Sequence, residues 1–284
     1  MSEPLLQYQF LPYLRQGMAA SLKTDAEGPR ATTTVAVGVK GYQEQQEVAS
    51  TSVTQTISLY GPGDVTGFDA KIVAHTNPRS HVGDFEPNLF PHVEFVDPDF
   101  PWRFTPGVPQ KGHQLIPWVS LIVLRVDAST ESTAEKSDAA SSDEGQPEIL
   151  EEGVSPERRT PWVRVKGRTL PDFGEAWRWA HVQVAEIPGD PEHALDFSSP
   201  QAVGKQLADH PTRAVARLLC PRRLRPKTRY RALVVPTFEL GRQAGLEQIS
   251  DPHPSGMDLI NHNSDEVTLP YYYQWEFGTG SRGD

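Results

Sequence analysis

Residues 81–118, HVGDFEPNLFPHVEFVDPDFPWRFTPGVPQKGHQLIPW, constrain the fold of this chain more than any other stretch. Seven prolines and seven Phe or Trp rings share it with five carboxylates, and no helical or strand-like period runs through it for any length. Each proline fixes φ, removes a backbone donor and keeps its predecessor out of the α region. The expectation is a long ordered path without regular structure, held to the rest of the protein by its rings and not by a hydrogen-bond ladder. Phe90, Phe95, Phe100 and Trp102 are the expected anchors.

Around that path the sequence reads as strands. Residues 32–39 (TTTVAVGV) are β-branched, and residues 48–59 (VASTSVTQTISL) alternate apolar with hydroxyl side chains, the pattern of a half-buried strand that Gly61-Pro62-Gly63-Asp64 then ends. Residues 119–126 (VSLIVLRV) are continuously apolar up to Arg125 and fit a central strand buried on both faces. Further strands are expected near the start of 7–22 and at 70–75, 162–166, 176–187, 230–235 and 268–277. Helix signals concentrate in 200–219. Ser199 can cap and Pro200 can take the first helical position, while His210-Pro211 splits the stretch and leaves a second helix at 212–219. A short helix is expected at 238–246. With about nine strands, three short helices and no βαβ alternation, the fold class is α+β and β-rich, a mixed or antiparallel sheet or sandwich around the long Pro/aromatic-rich segment.

The net charge of −10 is unevenly placed. Residues 127–158 hold ten Asp/Glu against two Lys/Arg, so all but two of the net charges belong to this segment. Its Ser, Thr, Ala, Glu and Asp cannot offset the entropy of ordering. We expect an acidic disordered insert at 127–158, looped between hairpin strands at 119–126 and 162–166, inside one β-rich domain made of 1–126 and 159–284. A nearly neutral body disfavours nucleic acid as a partner. The single cysteine, Cys220, rules out an intrachain disulfide and suits a reducing compartment. The start MSEPLLQYQFLPYLRQGMAA has neither the basic region nor the apolar core of a signal peptide. The apolar run at 115–126 is too short to span a bilayer. The expectation is a soluble protein made in the cytoplasm.

Two clusters could carry chemistry. Carboxylates and imidazoles recur from His75 to Asp99, and oxygen and nitrogen ligands of this kind hold divalent ions. Asp84, Glu86, Asp97, Asp99 and His92 are the candidate metal ligands, although the glycine and distal glutamate of a calcium loop are missing. The competing expectation is that these carboxylates cap turns and neutralise Arg79 and Arg103. Residues 213–231 carry eight Lys/Arg and no acid. Arg213, Arg217, Arg222, Arg223 and Arg225 are the candidate partner-binding surface, and the scarcity of interleaved aromatics argues against single-stranded nucleic acid. Cys220 lacks a protease signature and reads as a buried structural thiol. His181 sits between strand residues and tryptophans and reads as a core histidine. GPGDVTG at 61–67 lacks the lysine of a phosphate-binding loop, and no G-x-S-x-G is present, so no catalytic residues and no cofactor are expected. Six tryptophans and the Tyr271-Tyr272-Tyr273 run would suit a sugar platform, but most fall at strand-interior positions.

Several blocks together resemble a large, poorly characterised bacterial protein family often encoded beside phage-tail-like contractile injection system genes. They are FLPYLRQGMA, GPGDVTGFD, DFEPNLFPHVEFVDPDFPWRFTP, AWRWAHVQV, RLLCPRRLRPKTRYRALVVPTFELGRQAGL and LPYYYQWEFGTG, and they cover most of the chain outside 127–158. Family members continue beyond the FGTG block, so the chain is expected to match an N-terminal region or a short version. The resemblance implies a non-enzymatic structural or accessory component of a contractile particle, acting through contacts with the other proteins of that particle and released with it. Two other readings stand beside it: a metal-dependent hydrolase carried as cargo, and a carbohydrate- or surface-binding module.

Overall fold

The computed structural model describes residues 7–110, 114–126, 147–186, 195–250 and 253–282. Thirteen strands are present there: β1 (Gln7–Leu11), β2 (Thr32–Gln43), β3 (Gln46–Ser58), β4 (Val73–Asn77), β5 (His92–Phe95), β6 (Val119–Arg125), β7 (Glu151–Val154), β8 (Pro161–Lys166), β9 (Ala180–Glu186), β10 (Ala214–Leu219), β11 (Arg229–Pro236), β12 (Glu266–Pro270) and β13 (Tyr273–Gly278). Every strand pairing is antiparallel. Four sheets result, ordered β1-β9-β10-β5-β4, β13-β11-β6, β12-β8-β7 and β2-β3. Two short α-helices, α1 (Pro200–Leu207) and α2 (Glu239–Gly245), and several 3-10 turns complete the β-rich fold.

Strand alternation divides the core into two compartments. Leu121 and Val123 of β6, with Tyr230, Ala232 and Val234 of β11, pack toward Val93, Phe95, Val182, Val184, Ala216 and Leu218 of the five-stranded sheet. Ile122 and Leu124 of β6, with Leu233 and Val235 of β11, pack toward Val163, Val165, Val267 and Leu269 of the β12-β8-β7 sheet. The middle sheet is thus covered on both faces, as the unbroken apolar run of 121–124 requires. Its one internal polar pair, Ser120 and Thr237, is satisfied by a hydroxyl–hydroxyl bond of 2.8 Å.

The 81–118 segment is less irregular than its sequence suggests. It contains β5, paired with both β4 and β10, and a 3-10 turn at Phe100–Trp102. Its beginning runs along the free edge of β13, where His81 N–H donates to the Glu276 carbonyl (2.7 Å) and Phe85 N–H to the Gly278 carbonyl (3.1 Å). Phe95, Phe100, Trp102 and Trp118 are buried. The indole N–H groups of the two tryptophans reach the carbonyls of Leu115 (2.9 Å) and Phe100 (2.8 Å). Phe68 joins this ring cluster, 5.0 Å from Phe100 and edge-on to it. Phe90 is not an anchor: it is 39% exposed and meets only the edge region of Trp179 at 6.2 Å.

Other expectations change with the pairing. Most of the helix expected at 212–219 is strand β10, because Ala214, Ala216 and Leu218 point inward with period two while Arg217 meets partners on the opposite face; α1, capped by the Ser199 hydroxyl, is the α-helix of this stretch, and Pro211–Arg213 form a single 3-10 turn. β6 and β8 do not form a hairpin and lie in different sheets. Of the expected insert at 127–158, residues 127–146 lie outside the described residues. The C-terminal end is not disordered: β7 pairs with β8, and Arg231 bonds Glu152 (2.6 Å). The expected closing strand at 268–277 is two strands, β12 and β13, in separate sheets. Residues 176–179, expected to open the strand of 176–187, belong instead to a 3-10 helix (Phe173–Trp179) before β9.

Truncating a buried ring removes its transfer energy and leaves a cavity, about 3–5 kcal/mol for Trp→Ala. Trp102→Ala should lose stability on that scale, since it also orphans the Leu115 carbonyl. Phe90→Ala should cost less than about 1 kcal/mol. Urea denaturation of both variants checks the difference; equal losses would mean that the segment is not held by its buried rings.

Candidate functional site

The candidate metal ligands do not converge. Arg103 engages two of them: its Nη2 donates to Asp97 Oδ2 (2.8 Å) and Asp99 Oδ1 (2.6 Å), and its Nε to Asp99 Oδ2 (3.2 Å). Glu86 accepts from the backbone N–H and side-chain amide of Asn88 (3.2 and 2.8 Å) and closes a turn. Asp84 is exposed. His92, on β5, stands 3.8 Å from Glu94. Among the described residues no three His, Cys, Asp or Glu side chains gather as a metal ion would need.

The arginine run is likewise dispersed. Arg217 projects from β10 onto the Glu94 carboxylate and the Gln183 amide oxygen. Arg213 Nε donates to the Ala185 carbonyl (3.3 Å), and Arg222 to that of Thr169. Arg225 is half-buried, with its backbone N–H on the Tyr230 hydroxyl (2.7 Å). Of the five, Arg223 is exposed and the other four are half-buried. Strand alternation and the coil after β10 send these side chains to separate neighbours, so they do not make one open cationic face.

The structure does bring together a polar row that spacing could not reveal. Register aligns His75 with Glu94, Glu94 with Arg217 and Arg217 with His181, across β4, β5, β10 and β9. His181 is no satisfied core histidine. It lies half-buried on this face with Phe10 edge-on at 5.2 Å, and its Nε2 has no hydrogen-bond partner. Burial first, then the charge of Arg217, pushes its pKa down to about 4, and Glu94 opposes this only in part. Burial also lowers the pKa of His92.

Rings do not form an open platform. Trp102, Trp118 and Trp275 are buried, and Trp162, Trp177 and Trp179 are half-buried. Tyr272 stacks on Trp118 at 5.8 Å. Cys220 is buried, and burial pushes its thiol up to about 11, so it is a protonated, unreactive group at neutral pH.

The remaining surface feature is an arm. Among the described residues β2 and β3 pair only with each other, along twelve rungs. The turn joining them holds Glu44 and Gln45 at φ 50° and 67°, the doubly left-handed geometry that matches hairpin twist. Its base is fastened where the GPGD block begins. Asp64 accepts from Arg30 Nε (2.8 Å) and from the Gly61 N–H (2.8 Å), and Leu59 N–H donates to the Ala31 carbonyl (2.8 Å). Gly61 is required there, since a Cβ would come within 2.6 Å of the Pro29 carbonyl oxygen. Beyond the base, the strand expected to be half-buried is open on both faces: Val37, Val39 and Val53 are 59, 60 and 66% exposed. Register places Val35, Val37, Val39, Ala49, Val53 and Ile57 on one face together with Thr33, Thr51 and Gln55, while Thr34, Ala36, Lys40, Ser50, Ser52, Thr54 and Thr56 lie on the other.

No family model, no curated protein and no solved structure matches this chain.

The polar row predicts acid sensitivity. His181 has a lower pKa folded than unfolded, so the unfolded state binds more protons between about pH 4 and 6.5. Its stabilising contribution is complete above pH 6.5 and is lost as pH falls through 4. The urea midpoint should drop across that window, and His181→Gln should flatten the slope. An unchanged slope in the variant would assign the sensitivity to other groups.

Proposed function

We propose that this protein is a non-enzymatic structural or accessory component of a multi-subunit particle, of the contractile, phage-tail-like kind that its sequence blocks resemble, and that it acts through protein–protein contacts. The observation that carries this reading is the β2–β3 arm. A two-stranded hairpin alone is marginal in water. This one presents Val37, Val39 and Val53 to solvent on one face, and among the described residues no further strand pairs with either of its edges. Exposed apolar surface of this kind marks a contact site. A rigid ribbon also loses little entropy on docking.

The chemistry elsewhere supports the same direction. Asp97 and Asp99 neutralise Arg103, Glu94 neutralises Arg217, and Glu276 and Glu152 neutralise Arg231. These groups maintain the fold, and neither a hydrolase centre nor a sugar platform draws support from them. The arginine cluster is not needed as the contact surface, because the arm takes that role.

Particles purified from the source cells should contain the chain. A variant with residues 35–55 replaced by a short Gly-Ser turn should keep its melting temperature to within a few degrees, since the arm adds nothing to either core compartment, and should be missing from the particles. Complete, functional particles that never contain the chain while it is expressed would overturn the reading.

A further inference from the structure

We infer that the cavity between residues 81–83, 227–229 and 276–281 binds a phosphate-bearing small molecule, with Lys227 and Arg229 as its anchoring cations. The inference goes beyond the assembly reading and does not rest on it.

The cavity follows from the side-chain alternation of β13. Gly278 stands opposite Arg229 in the register with β11, and Glu276 stands opposite Arg231. These four positions share one face of the sheet. Glycine at 278 and again at 280 leaves that face without side chains at the end of the strand. It also lets residues 83–84 approach closely. A Cβ at Gly280 would lie 3.1 Å from the Asp84 carbonyl oxygen, and one at Gly278 would lie 3.4 Å from the Gly83 Cα. The result is a trough of about 610 Å³ floored by main chain, with residues 81–83 along one side of β13 and residues 227–229 along the other. That volume is in the range of small-molecule sites.

Two observations assign the ligand chemistry. The first is a cation held in an unfavourable backbone conformation. Lys227 has φ 52°, a region that glycine enters freely and residues with a Cβ do not. Its turn is pinned on both sides. Lys227 N–H donates to the Gly280 carbonyl (3.0 Å), Thr228 N–H to Thr279 Oγ1 (2.9 Å), and that hydroxyl to the Arg225 carbonyl (2.5 Å). A glycine would hold the same turn without strain, so what the lysine adds is its ammonium group. Among the described residues no carboxylate pairs with that group. His81, on the other side of the trough, has φ 66°. Strained residues of this kind gather at ligand clamps.

The second is the charge balance. Among the described residues lining the trough, Glu276 is the only carboxylate. Arg231 holds it through Nε (3.0 Å) and Nη2 (2.9 Å), and Arg229 stands 3.4 Å from it. Lys227 and Arg229, set against one carboxylate that Arg231 already neutralises, leave the trough net positive. Cations on one side and an imidazole on the other suit a tetrahedral dianion, whose oxygens point in several directions; a planar carboxylate offers two oxygens along one edge. A bare phosphate fills a small part of the volume, so the ligand is an ester whose organic part occupies the rest.

Titration of the isotope-labelled full chain with inorganic phosphate and with phenyl phosphate, followed by amide NMR at constant ionic strength, tests this. Both probes should give saturable shifts confined to Gly83, Lys227, Gly278, Gly280 and their neighbours, with Kd below about 5 mM. Lys227→Gly, which keeps the turn, and Arg229→Gln should each weaken binding at least about tenfold. Arg168→Gln, an exposed arginine outside the trough, should leave it within about twofold. Acetate should bind at least about tenfold more weakly than phosphate. An unchanged melting temperature for Lys227→Gly shows that its loss of binding is not loss of the fold. No saturable shift up to about 50 mM phosphate overturns the inference. So do shifts spread evenly over the surface, acetate binding as tight as that of phosphate, or a Lys227→Gly variant that binds phosphate as the wild type does.

Discussion

Burial of β6 and β11 on both faces is the constraint on which the rest of the structure depends. Leu121, Ile122, Val123 and Leu124 are each at most 3% exposed, and Ala232, Leu233, Val234 and Val235 are fully buried. Each side chain of this size contributes about 1.5–3 kcal/mol on leaving water. A sheet so apolar on both sides must be covered twice. The five-stranded sheet covers one face and the β12-β8-β7 sheet the other. The outward side of the five-stranded sheet carries His75, Glu94, Arg217 and His181, aligned by register.

Edges are dealt with by the irregular segments. Residues 81–85 run along the edge of β13, and the 100–118 stretch closes over the ring cluster with Trp102 and Trp118 donating to backbone carbonyls. Proline limits the backbone donors that this stretch would otherwise have to satisfy. The rings and the prolines are therefore two parts of one solution: a path that covers a sheet without becoming a strand of it.

The arm departs from this economy. Its strands pair with each other, its base is fastened by Arg30, Asp64 and Gly61 and by a Ser21–Thr33 hydroxyl bond, and Val37, Val39 and Val53 face water. Residues 81–85 follow the edge of β13, whereas among the described residues no other strand pairs with this ribbon. The assembly reading follows from that contrast more than from any cluster of polar residues, since those clusters are closed on themselves.

Much of the fold was legible in the sequence. The run of 119–124 implied a strand covered twice, and Ser199-Pro200 implied a helix start; local chemistry specifies both. The alternation of 48–59 implied a half-buried strand, and β3 is a strand but an exposed one. What covers the apolar face of β3 was not legible, because alternation records which side chains share a face and not what lies opposite. The same limit explains 212–219, where Val215, Leu218 and Leu219 satisfy a helical period as readily as Ala214, Ala216 and Leu218 satisfy an extended one, and pairing with β5 and β9 decided between them. The row from His75 to His181 was invisible for a related reason: its four members lie 19 to 142 residues from Glu94 or from one another only in sequence, and strand register alone makes them neighbours. Side-chain periodicity is a local property that sequence determines by itself; which faces meet, which charges pair and which surface stays open depend on long-range pairing, and only the tertiary structure decided them.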